Sequence, residues 1–383
     1  MRLRIGDGSS NVIVDHCSTS FSTDTLIDVT GDNETPDRMV TVQNCIVAWP
    51  LDENNHIETK DHPDGHKNGL SWWDVHDRSV PHPTDMDNLP DGWILNGHGY
   101  ASLIRAGYGA RITYWPNLYA HCRGRCPRPG PWDDSLLDPQ GMQLDFTNNV
   151  VFAWWGTGAG NDPSTSGNGR YNFVSNYYRG AGGSTDWGER TFFEIRNPDA
   201  KGWFSGNRIK LPHDNGPITP QDQYDEDFIT YGDPDENEAT RSTFEVSGPF
   251  ESGEYAVPTL PQAPAGAPLG EQSVKRDVGA CLKRDQLDLH LLGADGTTGE
   301  YKERQGEGPI DNPSEVGGWP TLSTAAPPED ADKDGVPDDR EQTTPANRSP
   351  EWKNDPRNAQ LDDNGDGRTN LEEYLTEIVS ESE

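Results

Sequence analysis

Short apolar segments that close on the same kind of residue recur along this chain, and no other feature restricts its fold as much. They are Val12-Ile13-Val14-Asp15-His16-Cys17, Val40-Thr41-Val42-Gln43-Asn44-Cys45 and Ile112-Thr113-Tyr114-Trp115-Pro116-Asn117. Leu144-Asp145-Phe146-Thr147-Asn148-Asn149, Asn172-Phe173-Val174-Ser175-Asn176 and Trp203-Phe204-Ser205-Gly206-Asn207 follow. The closing column reads Cys17, Cys45, Asn117, Asn149, Asn176 and Asn207, at spacings of 28, 72, 32, 27 and 31 residues. A strand and a turn returning at this interval, with no helical pattern between, predict an all-β fold, a parallel β-helix. One coil cannot bury its inner face alone, whereas stacked coils share one core. Asn tolerates the left-handed conformation of a tight corner and can hydrogen-bond from coil to coil. Cys17 and Cys45, in the same column, read as buried thiols.

Composition bounds the function. The 383 residues carry a formal charge of -34, from 65 acids against 31 bases, and only 31% are hydrophobic. No apolar run reaches the length of a membrane span. Nucleic-acid binding is excluded because phosphate affinity needs clustered Lys and Arg. Among the bases, 22 are Arg and 9 are Lys; excess acid with scarce Lys suits concentrated salt, where repulsion is screened, so a halophilic source is one expectation and an ordinary acidic secreted protein the other. Five Cys in 383 residues do not make a disulfide framework. The first strand begins within a few residues of Met1 without a cap or an apolar leader, so the sequence predicts that N-terminal coils and a signal peptide are missing from this chain.

The chain divides into a β-helix over 1–318, a linker over 319–328 and an acidic module over 329–383. Residues 50–97 form an insertion holding His56, His62, His66, His76 and His82; none of these pairs has a strong metal spacing, and the insertion reads as a solvated loop. Residues 214–318 read as loops and a strap, with Val278, Leu282, Leu287 and Leu289 packing back on the coils. The charge is uneven: residues 98–213 are net basic by 3, whereas 329–383 are net acidic by 11.

The module carries the strongest local motif. Asp330, Asp332, Asp334, Val336, Asp338 and Glu341 occupy positions 1, 3, 5, 7, 9 and 12 of a loop with Gly335 at position 6. Asp362, Asn364, Asp366, Arg368, Asn370 and Glu373 repeat the pattern around Gly367. This is the spacing of a twelve-residue calcium loop: a hard cation takes oxygens, position 7 offers its carbonyl, and the closing Glu can give two. The reading is a short calcium-stapled module, structural or tethering in role.

Within the coils, Asp24 and Asp28 flank Thr25-Leu26-Ile27, and Arg123, Arg125 and Arg128 cluster in His121-Cys122-Arg123-Gly124-Arg125-Cys126-Pro127-Arg128. Carboxylates for a cation and guanidiniums for carboxylates, on neighbouring coils, point to an anionic sugar held through calcium.

These stretches resemble the pectate lyases of polysaccharide lyase family one. The likeness is carried by Asn11-Val-Ile-Val-Asp15-His16-Cys17-Ser18, Asp24-Thr-Leu-Ile-Asp28, Val40-Thr-Val-Gln-Asn44 and His98-Gly-Tyr-Ala-Ser-Leu103-Ile104. It continues through Ile112-Thr-Tyr114, Asn117-Leu-Tyr-Ala-His121, Arg125-Cys-Pro127-Arg128, Leu144-Asp-Phe-Thr-Asn148-Asn149-Val150 and Tyr171-Asn-Phe-Val-Ser-Asn176-Tyr177-Tyr178, and ends in Lys283-Arg284-Asp285 and Glu315-Val-Gly-Gly-Trp-Pro320. It covers roughly residues 1–320.

The resemblance implies a right-handed, single-stranded parallel β-helix and a secreted enzyme. Its implied reaction is calcium-assisted β-elimination of polygalacturonate, in which an Arg takes the proton at C5 and an unsaturated sugar end results. It puts the calcium pair on Asp24 and Asp28, the base on Arg125 and a carboxylate-binding Arg on Arg128, with Arg123 and Tyr100 as further substrate contacts. Arginine is protonated in water, so a base role requires its surroundings to perturb it.

Some positions depart from the family. Its further calcium-ligand Asp falls near Met1, and its substrate-binding Lys falls near Tyr100. Trp115-Pro116 stands where the family has two His, and Cys122 and Cys126 replace Asn residues beside Arg125. Cys122 and Cys126 read as free thiols, with a local bridge or a metal as the alternatives. The chain reads as a monomer acting on an acidic polysaccharide. The competing readings are a non-catalytic β-helix that binds such a polymer and a lyase for another uronate polymer.

Overall fold

The computed structural model describes residues 2–6, 8–30, 38–52, 57–59, 93–95, 98–155, 158–161, 167–180, 193–197, 199–210, 229–231, 241–251, 274–293, 309–322, 326–341 and 355–380. The five His of the insertion lie outside them.

The chain winds through three strands per coil. β1 (Leu3–Ile5), β2 (Ser10–Asp15) and β3 (Ser18–Thr19) make one turn, and β4 (Ile27–Thr30), β5 (Arg38–Gln43) and β6 (Ile46–Ala48) the next. An antiparallel hairpin of β7 (Ile57–Thr59) and β8 (Trp93–Leu95) interrupts. Then come β9 (Leu103–Ala106), β10 (Ala110–Tyr114) and β11 (Leu118–Ala120), followed by β12 (Arg128–Pro131), β13 (Met142–Thr147) and β14 (Val150–Phe152). β15 (Ala159–Gly160), β16 (Gly169–Val174) and β17 (Tyr177–Arg179) precede β18 (Phe193–Ile195), β19 (Lys201–Ser205) and β20 (Arg208–Lys210), and β21 (Ile229–Tyr231) is last.

First strands stack as β1-β4-β9-β12 and as β15-β18-β21; second strands stack as β2-β5-β10-β13-β16-β19, and third strands as β3-β6-β11-β14-β17-β20. Every pairing among these stacks is parallel, as in Ile112 opposite Val40 and Leu144 opposite Ile112. This is a parallel β-helix, as the period predicts.

Alternation along each strand sends one set of side chains inward. Val42, Tyr114, Phe146, Phe173 and Phe204 face the interior in one register row, and Val47, Tyr119, Val151, Tyr178 and Ile209 in another. Each such residue contributes about 1.5–3 kcal/mol by leaving water. The outer face of the third stack is apolar too: Ile46, Leu118, Val150 and Tyr177 lie under Val274, Val278, Leu287, Leu291 and Leu292. The strap thus packs back through Val278 and Leu287 as expected, whereas Leu282 is exposed. Phe244 covers the far end of the core against Phe193, Phe204 and Tyr171. A Cβ on Gly202 would come within 2.4 Å of its ring, so only glycine admits that approach.

The corner between second and third strands holds the Asn ladder. The Cys45 amide donates to Asn117 Oδ1 at 2.9 Å, the Asn117 amide to Asn149, the Asn149 amide to Asn176, and the Asn176 amide to Asn207 at 3.0 Å. Each side-chain NH2 reaches back to a carbonyl of an earlier coil: Val42, Tyr114, Phe146 and Phe173 in turn. Buried corner groups are satisfied by this chain of amides.

Two expectations are corrected here. The left-handed residue is the one before the column: His16, Asn44, Asn148, Ser175 and Gly206 have φ between 48° and 66°, and the column Asn is kept for hydrogen bonding. Cys45 is buried but Cys17 is exposed, because β2 and β3 are edge strands whose column residue is covered from one side only. Cys122 and Cys126 are buried free thiols.

The chain separates into two compact units, Met1–Ala280 with Gln286–Pro320, and Cys281–Asp285 with Thr321–Glu383. In the second, helices Asp338–Glu341 and Asn370–Ser380 each begin at position 9 of one of the two acidic loops.

Candidate active site and candidate metal loops

The stack β1-β4-β9-β12 and the turns that lead into it gather the charged residues singled out in the sequence. Ile27 and Val29 point into the core, so Asp28 between them points outward. It is nonetheless fully buried, because its oxygens are enclosed. Oδ1 accepts the Leu103 amide at 2.9 Å. Oδ2 accepts the Thr25 hydroxyl, Arg2 Nε at 2.8 Å and Arg2 Nη2 at 2.7 Å. Burial pushes the Asp28 carboxyl up, against the lowering pull of Thr25, Leu103 and Arg2.

Asp24 is the more open of the pair. Its Oδ1 lies 3.3 Å from Arg125 Nη1 and its Oδ2 lies 3.6 Å from Arg2 Nη1. Arg125 sits two turns on, beyond the turn that carries Tyr100, with a left-handed backbone, φ 58°. Its carbonyl accepts the Ser102 amide, and the neighbouring Gly124 bridges Tyr100 in parallel register. That register lays the Arg125 guanidinium over the Tyr100 ring, 4.0 Å from its centroid. Arg125 is therefore held from two sides, by a carboxylate and by an aromatic face.

Arg128 follows a cis Cys126–Pro127 peptide and opens β12, opposite Leu103. Arg123 points elsewhere, donating to Asp52 Oδ2 at 2.7 Å, while Asp52 Oδ1 accepts the Gly99 amide. The structure thus brings Asp24, Asp28, Arg125 and Tyr100 together and ties Arg123 to a separate carboxylate. It also adds Arg2, which sequence reasoning missed. The only signal for it was the register that sets Arg4 against Asp28, readable once β1 is known to stack on β4.

Calcium was expected between Asp24 and Asp28. Calcium takes six to eight oxygens, yet all four oxygens of this pair already face N–H or O–H donors, and two guanidiniums balance the two carboxylates. As arranged, these residues do not fit the ion.

The acidic loops differ. Asp330, Asp332 and Asp334 converge so that one oxygen of each lies within 4.8 Å of the others. Asp332 Oδ2 and Asp334 Oδ2 are buried without a hydrogen-bond donor. Glu341, which closes the loop, is 6% exposed and is bound by Asn358. Burial, and then the neighbouring Asp334 and Asp330 carboxylates, push Asp332 up. These residues fit a hard cation.

The second loop repeats the backbone of the first. Asp330 accepts the amides of Lys333 and Gly335, and Asp362 those of Gly365 and Gly367. Asp334 accepts the Val336 amide, and Asp366 that of Arg368. Asp338 and Asn370 each accept an amide from position 2. Gly335 and Gly367 have φ of 99° and 97°, as the sharp turn requires. In this loop Asn364 donates to Glu373.

The chain matches no protein-family model. It is 26% identical over 265 residues to the probable pectate lyase C of Aspergillus terreus, a match covering 64% of this chain and 50% of that protein. It is 25% identical over 359 residues to the probable pectate lyase C of Neosartorya fischeri, covering 89% and 63%. The Emericella nidulans protein of the same name is 24% identical over 353 residues, covering 88% and 59%. The chain thus spans between half and just under two thirds of the length of these curated relatives. On a parallel β-helix, these distant likenesses support a pectate-lyase-like family. No helix among the described residues is long and apolar enough to cross a membrane.

Proposed function

We propose that the protein is a secreted polysaccharide lyase of the pectate-lyase type, cleaving polygalacturonate by β-elimination, with calcium held in the C-terminal loops. The observation that carries this reading is the position of Arg125, poised between Asp24 and Tyr100 on a face that also presents Arg2 and Arg128.

In the reaction, the uronate carboxylate makes the proton on the adjacent C5 acidic. Arg125, having first given its own proton to solvent, takes that proton, the C5 electron pair forms the C4–C5 double bond, and the C4–O4 bond breaks. The leaving oxygen collects a proton, giving one new reducing end and one unsaturated end. Guanidiniums beside the substrate carboxylate neutralise charge that grows as the C5 proton leaves. Tyr100 lies beneath the Arg125 guanidinium, and Arg128 stands at the start of β12 opposite Leu103. Arg123 is fixed on Asp52 and shapes the turn that carries Arg125.

In the module, Asp330, Asp332, Asp334, Asp338, Glu341 and the Val336 carbonyl would hold one calcium. Asp362, Asn364, Asp366, Asn370, Glu373 and the Arg368 carbonyl would hold a second. Their role is to fold the module.

The test is ultraviolet absorbance of unsaturated product from polygalacturonate. Wild-type protein gives it, and Arg125→Ala gives it at a rate at least about a hundredfold lower. Retention on the polymer without product would replace the lyase by a binding β-helix, and product only from another uronate polymer would move the substrate.

A further inference from the structure

We propose that the Arg2 guanidinium is the resident cation between Asp24 and Asp28, and that this face works without a divalent ion. The proposal rests on the lyase reading for its catalytic part only.

Three observations carry it. First, Arg2 contacts both carboxylates at once, Asp28 through Nε and Nη2 at 2.8 and 2.7 Å and Asp24 through Nη1 at 3.6 Å. A single cationic group therefore spans the gap in which a metal bridging the pair would sit. Second, Asp28 has no oxygen to spare, since Leu103 and Thr25 take what Arg2 leaves. Third, the charges close. Arg2 and Arg125 offset Asp24 and Asp28, and among the described residues Arg4, Arg128 and the Arg123–Asp52 pair of the same stack and its turns add no net negative charge. A divalent ion entering here would meet two guanidiniums and, among the described residues, no uncompensated carboxylate.

Arg2 is also placed to meet substrate. Its side chain is 41% exposed, and a guanidinium has more N–H donors than these two carboxylates use. Its free edge can take an incoming uronate carboxylate as a planar fork, a geometry that suits carboxylates better than a point charge does.

The test separates this proposal from the lyase reading. In full-length protein whose module is silenced by Asp330→Ala and Asp362→Ala, equilibrium dialysis with calcium measures binding at the β-helix alone. With Arg2 in place it finds no calcium bound at millimolar concentration. Adding Arg2→Asp, which replaces the guanidinium by a third carboxylate, creates one bound calcium per chain. A calcium bound with Arg2 present overturns the proposal.

Turnover supplies the second readout. With the module intact, the wild-type rate in excess chelator stays within about twofold of the rate in calcium, and Arg2→Ala loses about tenfold or more. Arg2→Lys recovers part of the loss, since it restores charge without the fork. A wild-type rate that collapses in chelator and returns with calcium contradicts the proposal. Absence of product from wild-type protein under every condition defeats the lyase reading instead, and the dialysis result still decides the role of Arg2.

Discussion

Two sets of carboxylates in this molecule solve the same electrostatic problem differently. Asp24 and Asp28 lie near guanidiniums supplied by the chain, from Arg2 one coil earlier and from Arg125 two coils later, across Tyr100. Asp330, Asp332 and Asp334 crowd together in a loop where the described oxygens Asp332 Oδ2 and Asp334 Oδ2 meet no donor. The first set is internally compensated and stands on a rigid solenoid. The second, on the function proposed above, is completed by an outside cation. A sequence rich in Asp does not by itself say which arrangement holds, because compensation depends on what the fold stacks beside the acids.

The sharpest way to break this comparison is to remove the group that gives the compensated site its chemistry. Arg125→Ala should lower turnover of polygalacturonate by about 10²–10⁴-fold, the range for losing a proton-transfer group, while leaving the thermal melting of the β-helix nearly unchanged. Equal losses of activity and stability would place Arg125 in the scaffold instead.

Calcium removal addresses the other half. At calcium a hundredfold above its dissociation constant, binding stabilises the module by about 2.7 kcal/mol. Chelation of the full-length protein should therefore expose residues 329–383 to limited proteolysis while the β-helix core stays resistant. Equal protection with and without chelator would remove calcium from the module.

The scaffold half can be probed without touching either acidic set. Asn149→Ala leaves the buried amides of Asn117 and its side chain without their acceptor and should cost about 1–3 kcal/mol for each stranded group. The check is a lower denaturant midpoint, unchanged by calcium. A midpoint matching wild type would mean that the ladder is ornamental.

The smallest effect is chemical. The neighbouring Cys45 thiol lowers the Cys17 thiol to about 7, whereas burial pushes Cys45 and Cys126 well up. Below pH 7 Cys17 is mostly protonated, and above it thiolate. An alkylating reagent at pH 8 should label Cys17 well before the buried Cys45, Cys122 and Cys126, and its rate should fall through pH 7. Simultaneous labelling would mean that the edge coil opens.

Much of this fold was readable because its signals are local. Each Asn of the ladder follows its own apolar strand, and the loops of the module carry every oxygen within twelve residues. What escaped depends on stacking. Arg2 reaches Asp28 across 26 residues and Arg125 reaches Asp24 across 101, and no window on the sequence shows which coil lies beside which. Tyr100 was legible only as a substrate-contact candidate at the position where the family's Lys falls, and its place beneath the guanidinium follows from the bridge between Tyr100 and Gly124. The burial assigned to Cys17 failed for the same reason: a column position says where a residue lies on its coil, not whether another coil covers it.

The measurement that tests the central claim most directly is the initial rate of unsaturated product from polygalacturonate, by wild-type protein and by Arg125→Ala, each with calcium and with excess chelator. The account predicts product from wild-type protein at similar rates in both conditions and a rate at least about a hundredfold lower from Arg125→Ala in either. Equal rates from the two proteins, or a wild-type rate abolished by chelator and restored by calcium, would contradict it.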